Sequence, residues 1–178
     1  VAGTVGGNVG GNVGGVDAMR YFLRTTLLWF LVAFVGDALV APLIDIAGRA
    51  PDFTIIALVL LALSAGAAPA TMGGFLIGLV QDLGNPPLLG LRSLCKCVLG
   101  FGLGRMRGRL VHGVVVVDAV MIVLAVLLHD LVFLLVQSNL TQERFLVPLR
   151  TQSLPGAAYS ALVGVPLLRL AEFGGVLR

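Results

Sequence analysis

Charged residues are scarce in this chain. Of its 178 residues only 12% are Asp, Glu, Lys or Arg, whereas 58% are hydrophobic, and the mean hydropathy is +1.03. Soluble globular domains carry about twice that share of charge, so the composition excludes a water-soluble fold and indicates a surface that mostly faces lipid. No polar segment is long enough to form a separate soluble domain. We therefore expect an all-α polytopic membrane protein.

Cysteine and histidine, which supply many redox, zinc and nucleophilic sites, are also scarce. Cys95 and Cys97 lie two residues apart in an apolar segment, a spacing that fits neither a C-x-x-C redox pair nor a zinc ligand set. Both are predicted to be packed small side chains. Ser64, Ser93 and Ser160 lack the sequence context of a serine nucleophile, and two histidines define no triad. The sequence predicts no enzyme, no cofactor and no metal site.

The positive charge has a pattern of its own. The net charge is +3, but the basic residues lie at the ends of apolar runs and not on one polar face, which argues against a nucleic-acid partner. The densest cluster is Arg105, Arg107 and Arg109. Because cytoplasmic loops of membrane proteins are enriched in Lys and Arg, we expect this cluster to be cytoplasmic, touching anionic lipid or a cytoplasmic partner. Both termini are then predicted to be cytoplasmic as well.

Apolar runs predict about six transmembrane helices in a single helical membrane domain, residues 19–178. The predicted spans cover residues 21–44, 53–68, 70–83, 88–104, 113–137 and 154–170. A helix that crosses the hydrocarbon core needs around 20 residues, so segments three and four are short, and they form either two crossings or a partly re-entrant pair. Residues 1–18 repeat Gly, Asn and Val and are predicted to be a flexible linker, native or left from expression.

Glycine recurs at four-residue spacing in segments three and four. Gly74 and Gly78 lie on the third segment, and Gly100 and Gly104 lie on the fourth. Glycine lets membrane helices approach closely, which strengthens van der Waals packing where no hydrophobic effect drives association. Two interpretations follow: packing of the two segments against each other, which we favour, or docking of a partner's transmembrane helix.

Acidic residues inside or beside apolar runs are the candidate polar sites. Asp82 ends the third segment and is expected either to cap the next segment or to bind Arg92 or Lys96 across the turn. Asp37, His129 and Asp130 fall within predicted spans. Ionisable groups in a membrane are costly and usually face a partner or a wet cavity. Asp37 is the best single candidate for a functional polar site, although a pairing with Lys96 or His129 would serve architecture alone. A proton relay that lines up His129, Asp130 and Asp118 across helices is a weaker alternative.

One motif resembles a known family. Residues 74–82 (GFLIGLVQD), followed after a short turn by residues 89–94 (LGLRSL), resemble the bacterial rod shape-determining protein MreD family. The motif includes Gly74, Gly78, Asp82 and Gly90, and residues 100–109 are also similar. The Pro86-Pro87 pair and the polar Cys95-Lys96-Cys97 stretch depart from the expected pattern.

The resemblance implies a function and partners. It implies a non-enzymatic scaffold of the elongation machinery in the bacterial inner membrane, supporting peptidoglycan synthesis and rod shape. It also implies binding to MreC and, through MreC, association with RodA, a class B penicillin-binding protein and MreB.

A second function remains open, that of the substrate-binding component of an energy-coupling-factor vitamin transporter. Such a component needs an outward pocket built from polar and aromatic side chains. The predicted outer loops offer few aromatics, chiefly Phe53 and Phe145, and this favours the scaffold.

Overall fold

The chain folds into a helical bundle in a computed structural model, which describes residues 13–45, 50–84, 86–107, 114–141 and 146–173. These ranges hold six main helices and no strand, which confirms the predicted all-α class. The helices are α1 (Val13–Val35), α2 (Phe53–Ala65), α3 (Ala67–Leu83), α4 (Leu91–Met106), α5 (Val115–Thr141) and α6 (Leu154–Phe173).

Short irregular turns extend or join these helices. A π-helical turn, Gly36–Val40, and a 3-10 turn, Ala41–Leu43, continue α1. Another 3-10 turn, Pro86–Leu88, lies between α3 and α4. The helical turn Leu146–Pro148 and the π-helical turn Leu149–Ser153 lead into α6.

The first helix begins earlier than the sequence predicted. It starts at Val13, so it includes residues 13–18 of the predicted linker, and residues 1–12 lie outside the described part of the chain. Once a helix is nucleated, each added residue gains one hydrogen bond, which lets the apolar span extend into the less apolar residues that precede it.

Three helical segments among the described residues are long and apolar enough to cross a membrane: Leu23–Leu43, Val115–Asn139 and Leu146–Phe173. The other helices are shorter, with 13 residues in α2, 17 in α3 and 16 in α4. At 1.5 Å per residue, α3 and α4 reach only about 26 and 24 Å. Segments three and four are therefore short, as predicted, and their partly re-entrant course stays a prediction.

The centre of the bundle is α2. Every residue of this helix from Phe53 to Ser64 is buried, and it contacts α1, α3, α4, α5 and α6. A helix that is apolar on all sides is stable only when other elements surround it. Gly66 joins α2 to α3 with φ +88°, a conformation that glycine adopts without steric cost.

Four of the remaining helices pack in two pairs around α2, and α1 packs against α2 and α3. The short turn after α3 makes α3 and α4 a hairpin, and α5 packs against α6. Arg169 ties the second pair together, since its guanidinium donates to Asp118 at 2.9 Å and to Glu172 at 2.8 Å. The outward faces carry exposed apolar side chains such as Leu27, at 68%, and Leu162, at 72%, as expected of a surface that meets lipid.

Candidate functional site

The spaced glycines lie inside the α3–α4 hairpin. A Cβ atom added to any of the four would overlap the backbone of the opposite helix, at Lys96 for Gly74, Ser93 for Gly78, Ala70 for Gly100 and Ala67 for Gly104. The two backbones are therefore in direct contact, as close packing of membrane helices requires. These glycines pack the hairpin, which is the first of the two interpretations of their spacing.

The turn of the hairpin is held by Asp82, whose side chain is fully buried. One carboxylate oxygen accepts from the backbone amides of Gly90 at 2.9 Å and Ser93 at 3.0 Å, and the other accepts from the amide of Arg92 at 3.3 Å. Asp82 thus caps the first turn of α4, which is the first of its two predicted roles. Gly90 has φ +94° and so permits the left-handed backbone that precedes this cap.

A chain of polar side chains crosses the bundle at the same end. Lys96 is only 1% exposed, and its ammonium donates to the Gln81 carbonyl oxygen. The Gln81 amide nitrogen in turn donates to Asp37 at 3.2 Å and to the Thr54 hydroxyl at 3.4 Å. Gln81 therefore links Asp37 to Lys96. Asp37 itself lies in the turn after α1, where its side chain is exposed and not deeply buried.

Asp52, the N-cap of the central helix α2, lies at this same end of the bundle. Its carboxylate accepts from the Ile55 amide at 2.9 Å and the Thr54 hydroxyl at 2.5 Å, which caps α2. Its backbone amide donates to the Ser160 hydroxyl at 2.9 Å, a contact that ties α2 to α6. Because Asp52 is the N-cap, its charge also meets the positive end of the α2 dipole.

The electrostatic surroundings of Asp52 favour its charged form. Burial alone would raise the pKa of this carboxyl group, but Lys96 and the two accepted hydrogen bonds hold the pKa below its usual value. Positive groups and donated hydrogen bonds both stabilise a carboxylate. Asp52 is therefore an anion at neutral pH.

His129 and Asp130 lie on α5 and face this polar region. The His129 Nδ1 atom is 3.1 Å from the Asp130 carboxylate, and the ring stacks on Phe133 with centroids 6.2 Å apart. The other ring nitrogen, Nε2, is buried and has no hydrogen-bond partner in the described part of the chain. The guanidinium of Arg92 lies 5.0 Å above the same Phe133 ring.

These side chains surround a cavity of about 700 Å³, which we call the polar cavity. Its walls hold two cationic groups, Arg92 and Lys96, and two carboxylates, Asp52 and Asp130. No group of three or more metal-ligating side chains occurs among the described residues. The polar cavity can therefore hold a ligand by charge and hydrogen bonding, without a built metal centre in its walls.

The predicted polar residues reach the same end of the bundle but do not form one relay. Asp37 is joined to Lys96 through Gln81, whereas His129 pairs with Asp130. Among the described residues, no hydrogen bond links these two groups. Sequence reasoning missed Gln81 and Asp52 as site residues, although a lysine in an apolar segment was a visible signal that Lys96 needs polar partners.

The predicted arginine cluster lies at the opposite end of α4. Arg105 is exposed in the last turn, and Arg107 lies beside Gly66 at the junction of α2 and α3. Arg109 lies outside the described residues. Arg105 and Arg107 therefore lie at the end of the bundle opposite the polar cavity.

Comparison with known protein families gives a match over most of the chain. The family model described as rod shape-determining protein MreD matches residues 19–170. No curated protein sequence matches the chain, and no solved structure matches it.

Proposed function

Because the chain belongs to the MreD family of rod shape-determining membrane proteins, we propose that it acts as a non-enzymatic scaffold that binds MreC and supports peptidoglycan synthesis during elongation. The observation that carries this proposal is the family match over residues 19–170. A bundle whose helices are packed by glycines and capped by carboxylates suits a protein that must hold a fixed shape in the membrane.

The exposed apolar faces are the surfaces on which a membrane partner would dock. The hairpin glycines are already in contact with the opposite helix, so a partner helix would bind elsewhere. Exposed leucines line α1, with Leu27 and Leu31, and α6, with Leu162 and Leu170. Through MreC, the assembly would include RodA, a class B penicillin-binding protein and the actin-like MreB.

The location we propose is the bacterial inner membrane, with several crossings and both termini in the cytoplasm. The support is the arginine cluster at one end of α4, since Lys and Arg are enriched in cytoplasmic loops. In this orientation the polar cavity faces the outer side of the membrane.

Co-purification from native membranes tests the scaffold. Tagged wild-type protein is expected to recover MreC. Paired alanine substitutions on α1 (Leu27→Ala with Leu31→Ala) and on α6 (Leu162→Ala with Leu170→Ala) serve as matched probes, since each pair removes exposed apolar contacts from one face only. We expect one pair to reduce MreC recovery and the other to leave it unchanged.

Two outcomes would count against the proposal. One is failure of the folded wild-type protein to recover MreC. The other is a rod-shaped host that keeps its shape when the protein is depleted.

The alternative, a vitamin-binding transporter component, stays a prediction. The polar cavity gives it an outward chamber in the proposed orientation, but the walls of this cavity contain one phenyl ring, Phe133. Phe53 is buried at the start of α2, and Phe145 lies outside the described residues. The test is uptake of a labelled vitamin into proteoliposomes that contain this protein and the energy-coupling module of the transporter. Robust uptake would overturn the scaffold proposal in favour of transport.

A further inference from the structure

An apolar groove runs along the outside of the bundle between α4 and α5. It encloses about 780 Å³, and apolar side chains dominate its walls. On α4 the groove extends from Leu94 to Met106, and on α5 it extends from Val116 to Val132, distances of about 18 and 24 Å along the helix axes. This groove has the length and the apolar surface to hold an extended acyl chain.

Gly102 leaves part of this groove open. A Cβ atom added to Gly102 would meet nothing within 4 Å, in contrast to the hairpin glycines on the same helix. The space beside it is therefore not used for contact between α4 and α5.

The groove meets the polar cavity at His129, which lines both spaces. His129 is 7% exposed, and its Nε2 atom is buried without a partner in the described part of the chain. If Nδ1 donates to Asp130, the neutral ring leaves Nε2 as an acceptor. A buried acceptor without a donor is costly, so a ligand donor at this point would remove that cost.

The charges in the walls of the polar cavity restrict the net charge that a ligand can carry. Two cationic groups and two carboxylates line the walls, so the walls carry no large net charge. A ligand with a net charge would bring an uncompensated charge into a partly buried site, which is unfavourable. A ligand that carries one anionic and one cationic group can pair both with the walls.

We propose that this chain binds one zwitterionic phospholipid of the phosphatidylethanolamine type. Its head lies in the polar cavity, with the phosphate near Arg92 and Lys96 and the ammonium near Asp52, Asp130 and the His129 Nε2 atom. One acyl chain lies in the α4–α5 groove. Binding of this lipid does not depend on MreC, so the proposal can fail while the scaffold function stands.

The test is native mass spectrometry of the full-length protein in micelles with equal amounts of phosphatidylethanolamine and phosphatidylglycerol. Wild-type protein is expected to retain one phosphatidylethanolamine with about tenfold preference, since a buried pairing of this kind corresponds to about 1.4 kcal/mol. Gly102→Leu should reduce retention about tenfold by filling the groove. His129→Phe removes the Nε2 acceptor but keeps Asp52 and Asp130, and it should reduce the preference between the two lipids.

The matched control is Ala68→Leu, which places a leucine at an exposed position of α3 that lines neither space. This variant should retain lipid like wild type. Soluble phosphoethanolamine should fail to displace the lipid, because it lacks the acyl chain.

Three outcomes would overturn the proposal. The first is equal retention of the two lipids by wild type, and the second is wild-type retention by folded Gly102→Leu. The third is displacement by phosphoethanolamine at the concentration at which the intact lipid competes, which would identify a soluble ligand of the polar cavity instead.

Discussion

The two sides of α4 use glycine in opposite ways. On the side that faces α3, Gly100 and Gly104 bring two backbones into contact and leave no space for a methyl group. On the side that faces α5, Gly102 borders an open groove. The comparison shows that glycine in a membrane helix marks close packing only where a second backbone occupies the space, which spacing alone does not reveal.

The largest effect on stability is expected on the side of α4 that packs against α3, which we call the closed side; the side that faces α5 is the open side. Gly100→Leu would force its side chain into the Ala70 carbonyl and the Leu58 side chain, and overpacking of this kind should lower the free energy of unfolding by about 3 kcal/mol or more. Thermal unfolding of purified protein in detergent measures the loss. Gly102→Leu is the matched control, and equal unfolding temperatures for the two variants would contradict the contrast between the two sides.

A smaller loss is expected at the turn that closes the hairpin. Asp82→Ala removes the acceptor of three buried or partly buried backbone amides, and we expect a loss of about 2 kcal/mol. Asp82→Asn keeps one carbonyl acceptor and should fall between alanine and wild type. If Asp82→Ala unfolds at the wild-type temperature, the stability of the α3–α4 hairpin does not depend on this cap.

A pH-dependent effect on stability is expected at the polar cavity, where Asp52 lies. Asp52→Asn keeps a side-chain acceptor for the α2 cap but removes the charge. Because the folded-state pKa of Asp52 lies below its usual value, its charge stabilises the fold above about pH 4, and this stabilisation is lost as the pH falls through the folded-state pKa.

Unfolding temperatures measured from pH 7 to pH 3 check this expectation. Wild type should be more stable than Asp52→Asn at pH 7, and the difference should shrink in acid. A difference that stays constant with pH would assign the effect to the cap geometry and not to the charge.

The smallest effect is expected on the open side and has the opposite sign. Gly102→Ala should stabilise the protein by about 0.5–1 kcal/mol, because alanine loses less backbone entropy in a helix and its methyl group meets open space. The same substitution at Gly104 is the control and should destabilise. A loss of stability in Gly102→Ala would mean that the groove is closed in the folded protein.

Much of the fold could be predicted because it depends on local patterns. The apolar runs located the helices, and the four-residue glycine spacing located the contact between α3 and α4. Asp82 could be expected to cap α4 because only a short turn separates it from that helix. In each case the interacting residues are close in the chain or repeat with the period of the helix.

The polar cavity could not be predicted in the same way. Asp52 contacts Ser160, which lies 108 residues away in the chain, and Gln81 connects Asp37 with Lys96 across three helices. A single sequence gives no information about which helix ends meet. Lys96 was visible as a polar residue in an apolar segment, but its partners depend on how the hairpin turns against α2.

The shortness of the central helix has a consequence for the membrane around it. With 13 residues, α2 measures about 20 Å, whereas a bilayer has about 30 Å of hydrocarbon. The mismatch does not deform the lipid, because α2 is enclosed by the other helices and the longer outer segments meet the acyl chains. The polar groups at the start of α2 are accordingly hydrogen-bonded within the protein: the Asp52 carboxylate accepts from Thr54 and Ile55, and its backbone amide donates to Ser160.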